Sequence, residues 1–125
     1  LKTRRDGYDG KGQARVQTHG ELRAAWRSLG DAPCVLEAFV HFTSEVSAVL
    51  ARGADGNVRA YDIAENHHRR HILHATRVPA TLDATLVDRA QQIGATIAHA
   101  MDHVGMLAVE MFVTTDGTLL VNEIA

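Results

Sequence analysis

Two Asp-Gly pairs each stand between strand-like apolar runs. SEVSAVLAR and NVRAYDIAE flank Asp55-Gly56, and GMLAVEMFVT and TLLVNEIA flank Asp116-Gly117. Glycine takes positive φ at no steric cost, so each pair between such runs is a strong hairpin signal. Between the hairpins, from Asp83 to His103, Leu86, Val87, Ala90, Ile93, Ile97, Ala100 and Met101 recur at helical spacing. Gly94 inside that stretch costs about 1 kcal/mol relative to alanine unless close packing compensates. A shorter helix is expected in THGELRAAWRSLG, with Thr18 and Glu21 at capping-box spacing, Leu22, Ala25, Trp26 and Leu29 on one face, and Gly30 closing it. LKTRR at one end and LLVNEIA at the other are expected strands, and CVLEAFV after Pro33 is expected to be a strand interrupted by one acid. ENHHRRHILH has no clear period and is expected to be mostly loop. With both hairpins antiparallel, the expected fold class is α+β.

Composition narrows the partners. Hydrophobic residues make up 46% of the 125 and charged residues 22%, ordinary for a soluble globular domain. A net charge of −2 gives no electrostatic case for nucleic acid or an anionic membrane, and no apolar run approaches the roughly 20 residues of a membrane span. Cys34 is the single cysteine, which excludes an internal disulfide and suggests the cytoplasm. Its apolar neighbours point to a structural thiol rather than a nucleophile. Neither end has the polar composition usual at natural termini, so the chain is expected to be a piece of a larger protein.

The second hairpin carries the sharpest chemistry. With Asp116-Gly117 as the two central residues of its turn, Thr115 pairs with Thr118, and counting back along the strands brings Glu110 opposite Glu123. Two carboxylates with Cβ atoms about 5 Å apart repel, and a shared proton or a divalent cation would offset this. A slipped register leaving both acids on a solvated face is the alternative. Oxygen-only ligands favour Mg²⁺, completed by water and phosphate.

A phosphate cradle is available in GYDGKGQ, where three glycines let backbone N–H groups approach closely and Lys11, with Lys2 upstream, adds positive charge. A plain glycine-rich turn is the other reading of that stretch. Glu37 lies within the apolar CVLEAFV run, where a carboxylate needs a donor, and Ala38, Phe39 and Val40 could offer backbone groups and apolar contact to a base. Glu45 could accept from ribose hydroxyls, but on these grounds alone both acids read better as ordinary strand-end residues pairing with arginines. His67, His68, His71 and His74 cluster, but their spacings match no standard zinc pattern, and anion contact by a loop suits them better.

Taken in order, LKTRR-x-GYDGKGQ, VLEAFVHFTSEVSAVLARG, ENHHRRHIL, VGMLAVEMFV and LLVNEIA resemble the ATP-grasp domain of the 5-(carboxyamino)imidazole ribonucleotide synthase family. The resemblance implies an ATP-grasp nucleotide-binding domain fragment, the central and carboxy-terminal part of that domain over residues 1–125, without the family's flanking domains. It implies an ATP-dependent ligase that carboxylates 5-aminoimidazole ribonucleotide with bicarbonate in purine biosynthesis, inactive as an isolated fragment and a homodimer at full length. ATP phosphates would meet Lys2, Gly7, Tyr8, Asp9, Gly10, Lys11, Gly12 and Gln13; adenine Glu37, Ala38, Phe39 and Val40; ribose Glu45. His68 and Asn122 would lie beside the nucleotide, and Glu110 and Glu123 would ligate Mg²⁺. Tyr8, Asp9 and Lys11 would face the aminoimidazole substrate, and no residue would act as a covalent nucleophile. Arg70 and His71 depart from the acid and glycine that the family commonly has there. Another ATP-grasp carboxylate-amine ligase and a non-catalytic nucleotide-binding module are the alternatives.

Overall fold

The computed structural model describes residues 1–5, 7 and 11–125. They form two compact units, one of residues 1–39 and 70–72, the other of residues 40–69 and 73–125.

In the first unit, β1 (Lys2–Thr3) pairs antiparallel with β2 (Cys34–Val35), and Lys2 also bridges to Gln13. The Thr3 N–H donates to Gly12 O at 2.8 Å and the Ala14 N–H to Leu1 O at 2.9 Å, so the glycine-rich segment closes a turn back onto β1. Gly12 takes φ +71°, and a Cβ there would lie 2.5 Å from Thr3 Oγ1. At this position glycine is required by the loop's own fold. A 3-10 turn, His19–Glu21, leads into α1 (Leu22–Ser28), with the Glu21 carboxylate accepting from the Gln17 N–H at 2.8 Å. The Gln17 N–H, with the Thr18 N–H at 3.4 Å, holds the Glu21 carboxyl below the usual range. The helix ends where Gly30 enters the left-handed region at φ +71°. The strand expected across CVLEAFV stops after Cys34–Val35, and residues 36–41 have no regular structure. Its apolar side chains stay largely in solvent: Leu36 is 60% exposed and Phe39 66%. Cys34 is half-buried rather than buried, its Sγ 3.2 Å from Ala32 O.

The second unit is a six-stranded sheet in the order β6-β5-β3-β7-β8, with β4 also paired to β3. The strands are β3 (Phe42–Arg52), β4 (Val58–Ala60), β5 (Ala64–Arg69), β6 (Ile72–Arg77), β7 (Gly105–Thr114) and β8 (Leu119–Ile124). Between β6 and β7 runs α2 (Ala84–Ala100), whose N-cap Asp83 accepts from the Leu86 N–H at 2.9 Å. Alternation sends Val46, Ala48 and Leu50 of β3 and Leu107, Val109, Met111 and Val113 of β7 into the core under α2. Full burial of one such side chain as large as Leu50 is worth about 1.5–3 kcal/mol. Ala90, Gly94 and Ala98 form the buried stripe of the helix. A Cβ on Gly94 would lie 2.6 Å from Leu50 Cδ2, so close packing is what offsets its helix penalty. The helix ends at Ala100 with Met101 as its C-cap, and both residues are exposed rather than part of the buried face that the spacing predicted. Just beyond the helix, Arg52 of β3 donates to His103 O at 2.9 Å and to the Asp102 carboxylate at 2.8 Å.

Two stretches fold differently from the sequence expectation. NVRAYDIAE is not one strand: β4 ends at Ala60 and β5 begins at Ala64. ENHHRRHILH is not a loop but most of the β5–β6 hairpin. Arg70 and His71 occupy its two turn positions at φ +52° and +65°, the arrangement of a primed two-residue turn without its usual glycine or asparagine. With all of β6 exposed, no apolar alternation marked these strands.

Candidate functional site

The face of the sheet opposite α2 carries the acids. Within β3, Glu45 and Ser47 alternate against the core residues Val46 and Ala48, and β7 sets Glu110 and Phe112 against Val109 and Met111. Ser47 is directly opposite Glu110, and Glu45 opposite Phe112. The Phe112 ring stacks on Phe42, with centroids 4.4 Å apart. On the neighbouring β5, His68 places Nδ1 3.0 Å from Glu45 Oε2. A concavity of about 300 Å³ opens here, lined by Phe42, Glu45, Asn66 and His68 among others.

Glu110 faces Glu123 across β7 and β8, as expected, but the route differs. Gly117 N–H donates to Thr114 O at 3.0 Å, and Thr114 and Thr118 close the ladder at 2.9 Å. The turn therefore has three residues, with Thr115 and Asp116 central and Gly117 following at φ +78°. The Asp116 carboxylate accepts from the Thr114 hydroxyl and the Thr118 N–H, which holds it below the usual range. The register runs Val113↔Leu119, Phe112↔Leu120 and Met111↔Val121, then shifts. The shift leaves Asn122 as the extra residue on β8 and brings Glu123 opposite Glu110. Without it Asn122 would face Glu110, and Glu123 would point to the other side.

The pair is electrostatically costly. Burial, then the Glu123 carboxylate, push the Glu110 carboxyl above its ordinary range; Glu45 adds to this and His68 works against it. Glu123 is exposed and Glu110 half-buried.

In the first unit, Lys2 Nζ lies 3.0 Å from Glu37 Oε2, and the Arg15 guanidinium sits 4.7 Å above the Phe39 ring. Glu37 is therefore not an acid inside an apolar strand; its side chain is 52% exposed and paired. Ala38 and Phe39 are exposed and Val40 half-buried, all outside strands. Gly7 has no regular structure, Lys11 and Gly12 form a turn, and Tyr8, Asp9 and Gly10 lie outside the described residues.

The ATP-grasp domain model matches residues 1–125. The chain belongs to the ATP-grasp family. Among curated ATP-grasp relatives, N5-carboxyaminoimidazole ribonucleotide synthase of Brucella melitensis biotype 1 is 46% identical over 127 aligned residues, covering 100% of this chain and 35% of the relative. The crystal structure of an N5-carboxyaminoimidazole ribonucleotide synthetase in its ADP complex matches 99% of the chain and 33% of its own, with a TM-score of 0.89 and 39% identity. The Aspergillus clavatus N5-carboxyaminoimidazole synthase, crystallised with ADP and 5-aminoimidazole ribonucleotide, matches 93% of the chain and 31% of its own at a TM-score of 0.85 and 26% identity. The chain spans about a third of the length of these relatives. The α+β class and the ATP-grasp resemblance both hold.

Sequence reasoning had passed over Ser47, Asn66 and Phe112. Each lies at an ordinary strand position, and only the pairing of β3 with β5 and β7 brings them beside the acids.

Proposed function

We propose that this chain is the nucleotide-binding part of an ATP-dependent ligase that carboxylates 5-aminoimidazole ribonucleotide with bicarbonate. It would work in the cytoplasm, with the full-length protein a homodimer carrying further domains on either side. The observation that carries the reading is the Glu110–Glu123 pair, with the Glu110 carboxyl raised by burial and by its neighbour. The relatives supply the substrate class: their names state the product, and one was crystallised with ADP and the aminoimidazole ribonucleotide.

The paired acids suit Mg²⁺. Two carboxylates opposed on one ladder are an all-oxygen donor set whose repulsion a cation relieves, and Mg²⁺ takes one or two carboxylates and completes its shell with water and phosphate. Glu110 and Glu123 would hold it. When bound, it supplies charge neutralisation for the phosphates.

The remaining work falls to binding and orientation. Lys2, Gly7, Tyr8, Asp9, Gly10, Lys11, Gly12 and Gln13 would receive the phosphates, Glu37 to Val40 the adenine, and Glu45 the ribose. His68, with Nδ1 3.0 Å from Glu45 Oε2, and Asn122 at the bulge would lie beside the nucleotide. Tyr8, Asp9 and Lys11 would face the aminoimidazole. A bicarbonate oxygen attacks the γ-phosphorus, the bond to the β–γ bridging oxygen breaks, and ADP departs. The exocyclic amine then attacks the carboxyl carbon of carboxyphosphate, phosphate leaves with the electron pair, and the nitrogen loses its proton. Positioning and charge neutralisation carry such a reaction without a covalent nucleophile.

Phosphate release by the full-length protein tests this. Hydrolysis should require bicarbonate and rise with 5-aminoimidazole ribonucleotide; indifference to both overturns the assignment. Turnover with a different amine would identify another ATP-grasp ligase, and nucleotide binding without turnover a non-catalytic module.

A further inference from the structure

Ser47 is the one buried polar residue among the described residues, with 7% exposure. Burying a hydroxyl between apolar neighbours is costly unless it is hydrogen-bonded, and an alanine would fit the same strand position. Its Oγ accepts from Asn66 Nδ2 at 2.6 Å, and Asn66 Oδ1 in turn accepts from the Thr76 hydroxyl at 3.1 Å. The chain of donors runs one way, from exposed Thr76 on β6 through Asn66 on β5 to Ser47 on β3. It uses one Ser47 lone pair, so the Ser47 proton is not spent within the relay. On the same sheet face, directly across the β3–β7 ladder, stands Glu110.

We propose that Ser47 is a positioning residue for Glu110, its hydroxyl proton oriented by the Thr76–Asn66 relay to steady the Glu110 carboxylate as that carboxylate takes up a divalent cation. The proposal rests on the reading of Glu110 and Glu123 as the cation's ligands. A hydroxyl donor is suited to the task because it is neutral: it stabilises a carboxylate without competing with the cation as a lysine or arginine would. Partners that orient metal ligands in this way usually contribute 10- to 100-fold, or about ten-fold at the low end, in metal affinity.

Calorimetric titration of the full-length protein with ADP, in Mg²⁺ and in chelator, tests it. Ser47→Ala should weaken ADP binding about ten-fold in Mg²⁺ while leaving the affinity in chelator within about two-fold. Asn66→Ala should act in the same direction, and Ser47→Thr, which restores the hydroxyl, should recover most of the loss. Equal losses with and without Mg²⁺, or no loss at all, overturn the proposal. Should Ser47→Ala fail to fold, Thr76→Val at the exposed end of the relay replaces it, with a smaller but still Mg²⁺-specific loss expected and no loss counting against. Glu123→Gln separates the two layers: if it leaves the Mg²⁺ dependence of ADP binding intact, the cation-site reading itself fails. If it removes that dependence and Ser47→Ala does not reduce it, only the role of Ser47 fails.

Discussion

Glu110 and Glu123 face one another because Asn122 is bulged out of β8 between Val121 and Glu123. The three-residue turn at Thr115–Gly117 would by itself have set Glu123 on the opposite side of the sheet. One irregularity is thus cancelled by another, and the result is an acid pair on the open face.

The pair makes stability depend on pH with a definite sign. The Glu110 carboxyl is raised in the folded protein, chiefly by burial and then by Glu123. Its contribution is therefore present below the unfolded carboxylate pKa and lost as pH rises through the higher folded value. Thermal melts of the metal-free protein should show Glu123→Gln more stable than the parent at pH 7, by about 0.5 kcal/mol, with the gap closing toward pH 4. A loss of stability at pH 7 would contradict the repulsion.

Gly94 is held by contact rather than by φ. Alanine there gains about 1 kcal/mol of helix propensity but places a Cβ 2.6 Å from Leu50 Cδ2 and 3.3 Å from Ala48 Cβ, both fully buried. Overpacking costs typically 1–3 kcal/mol, so Gly94→Ala should destabilise by roughly 1 kcal/mol net in urea titration. Combined with Leu50→Val, which removes the opposing methyl, its added cost should shrink.

Two left-handed glycines separate strain from crowding. Gly12 and Gly30 share φ +71°, yet a Cβ at Gly12 meets Thr3 Oγ1 at 2.5 Å while one at Gly30 meets nothing within 4 Å. Gly30→Ala should cost about 1 kcal/mol of backbone strain alone. Gly12→Ala should cost more, and Thr3→Ala in the same chain should recover the excess. Denaturant midpoints of the three variants decide it.

At the β5–β6 turn the strain is native. Arg70 and His71 both sit at positive φ, where residues with a Cβ cost about 1–2 kcal/mol. Replacing His71 by glycine should stabilise the protein by roughly 0.5 kcal/mol, because relief of strain exceeds the added unfolded-state entropy. A lower melting temperature for His71→Gly would refute this.

Local chemistry alone determined a good part of this protein. Asp-Gly turns and the 3.6-residue spacing from Leu86 to Ile97 act over a few residues, so both hairpins and α2 were legible in the chain. The motifs around Gly7–Gln13 and Val121–Ala125 carried the ATP-grasp resemblance for the same reason. Tertiary structure decided the rest. CVLEAFV forms a strand only at Cys34–Val35, with Leu36 and Phe39 exposed, whereas the polar β5 and β6 become strands because β3 offers β5 an edge to pair with. The acid pair was anticipated from a two-residue turn, but the geometry that produces it is a three-residue turn plus the bulge at Asn122. Ser47 was invisible in the sequence because its meaning lies in two neighbours, Asn66 and Glu110, that only ladder pairing brings to its sides. Turns and caps are settled by steric limits on adjacent residues; register and cross-strand partners depend on which backbones find one another, and no short stretch of sequence contains that.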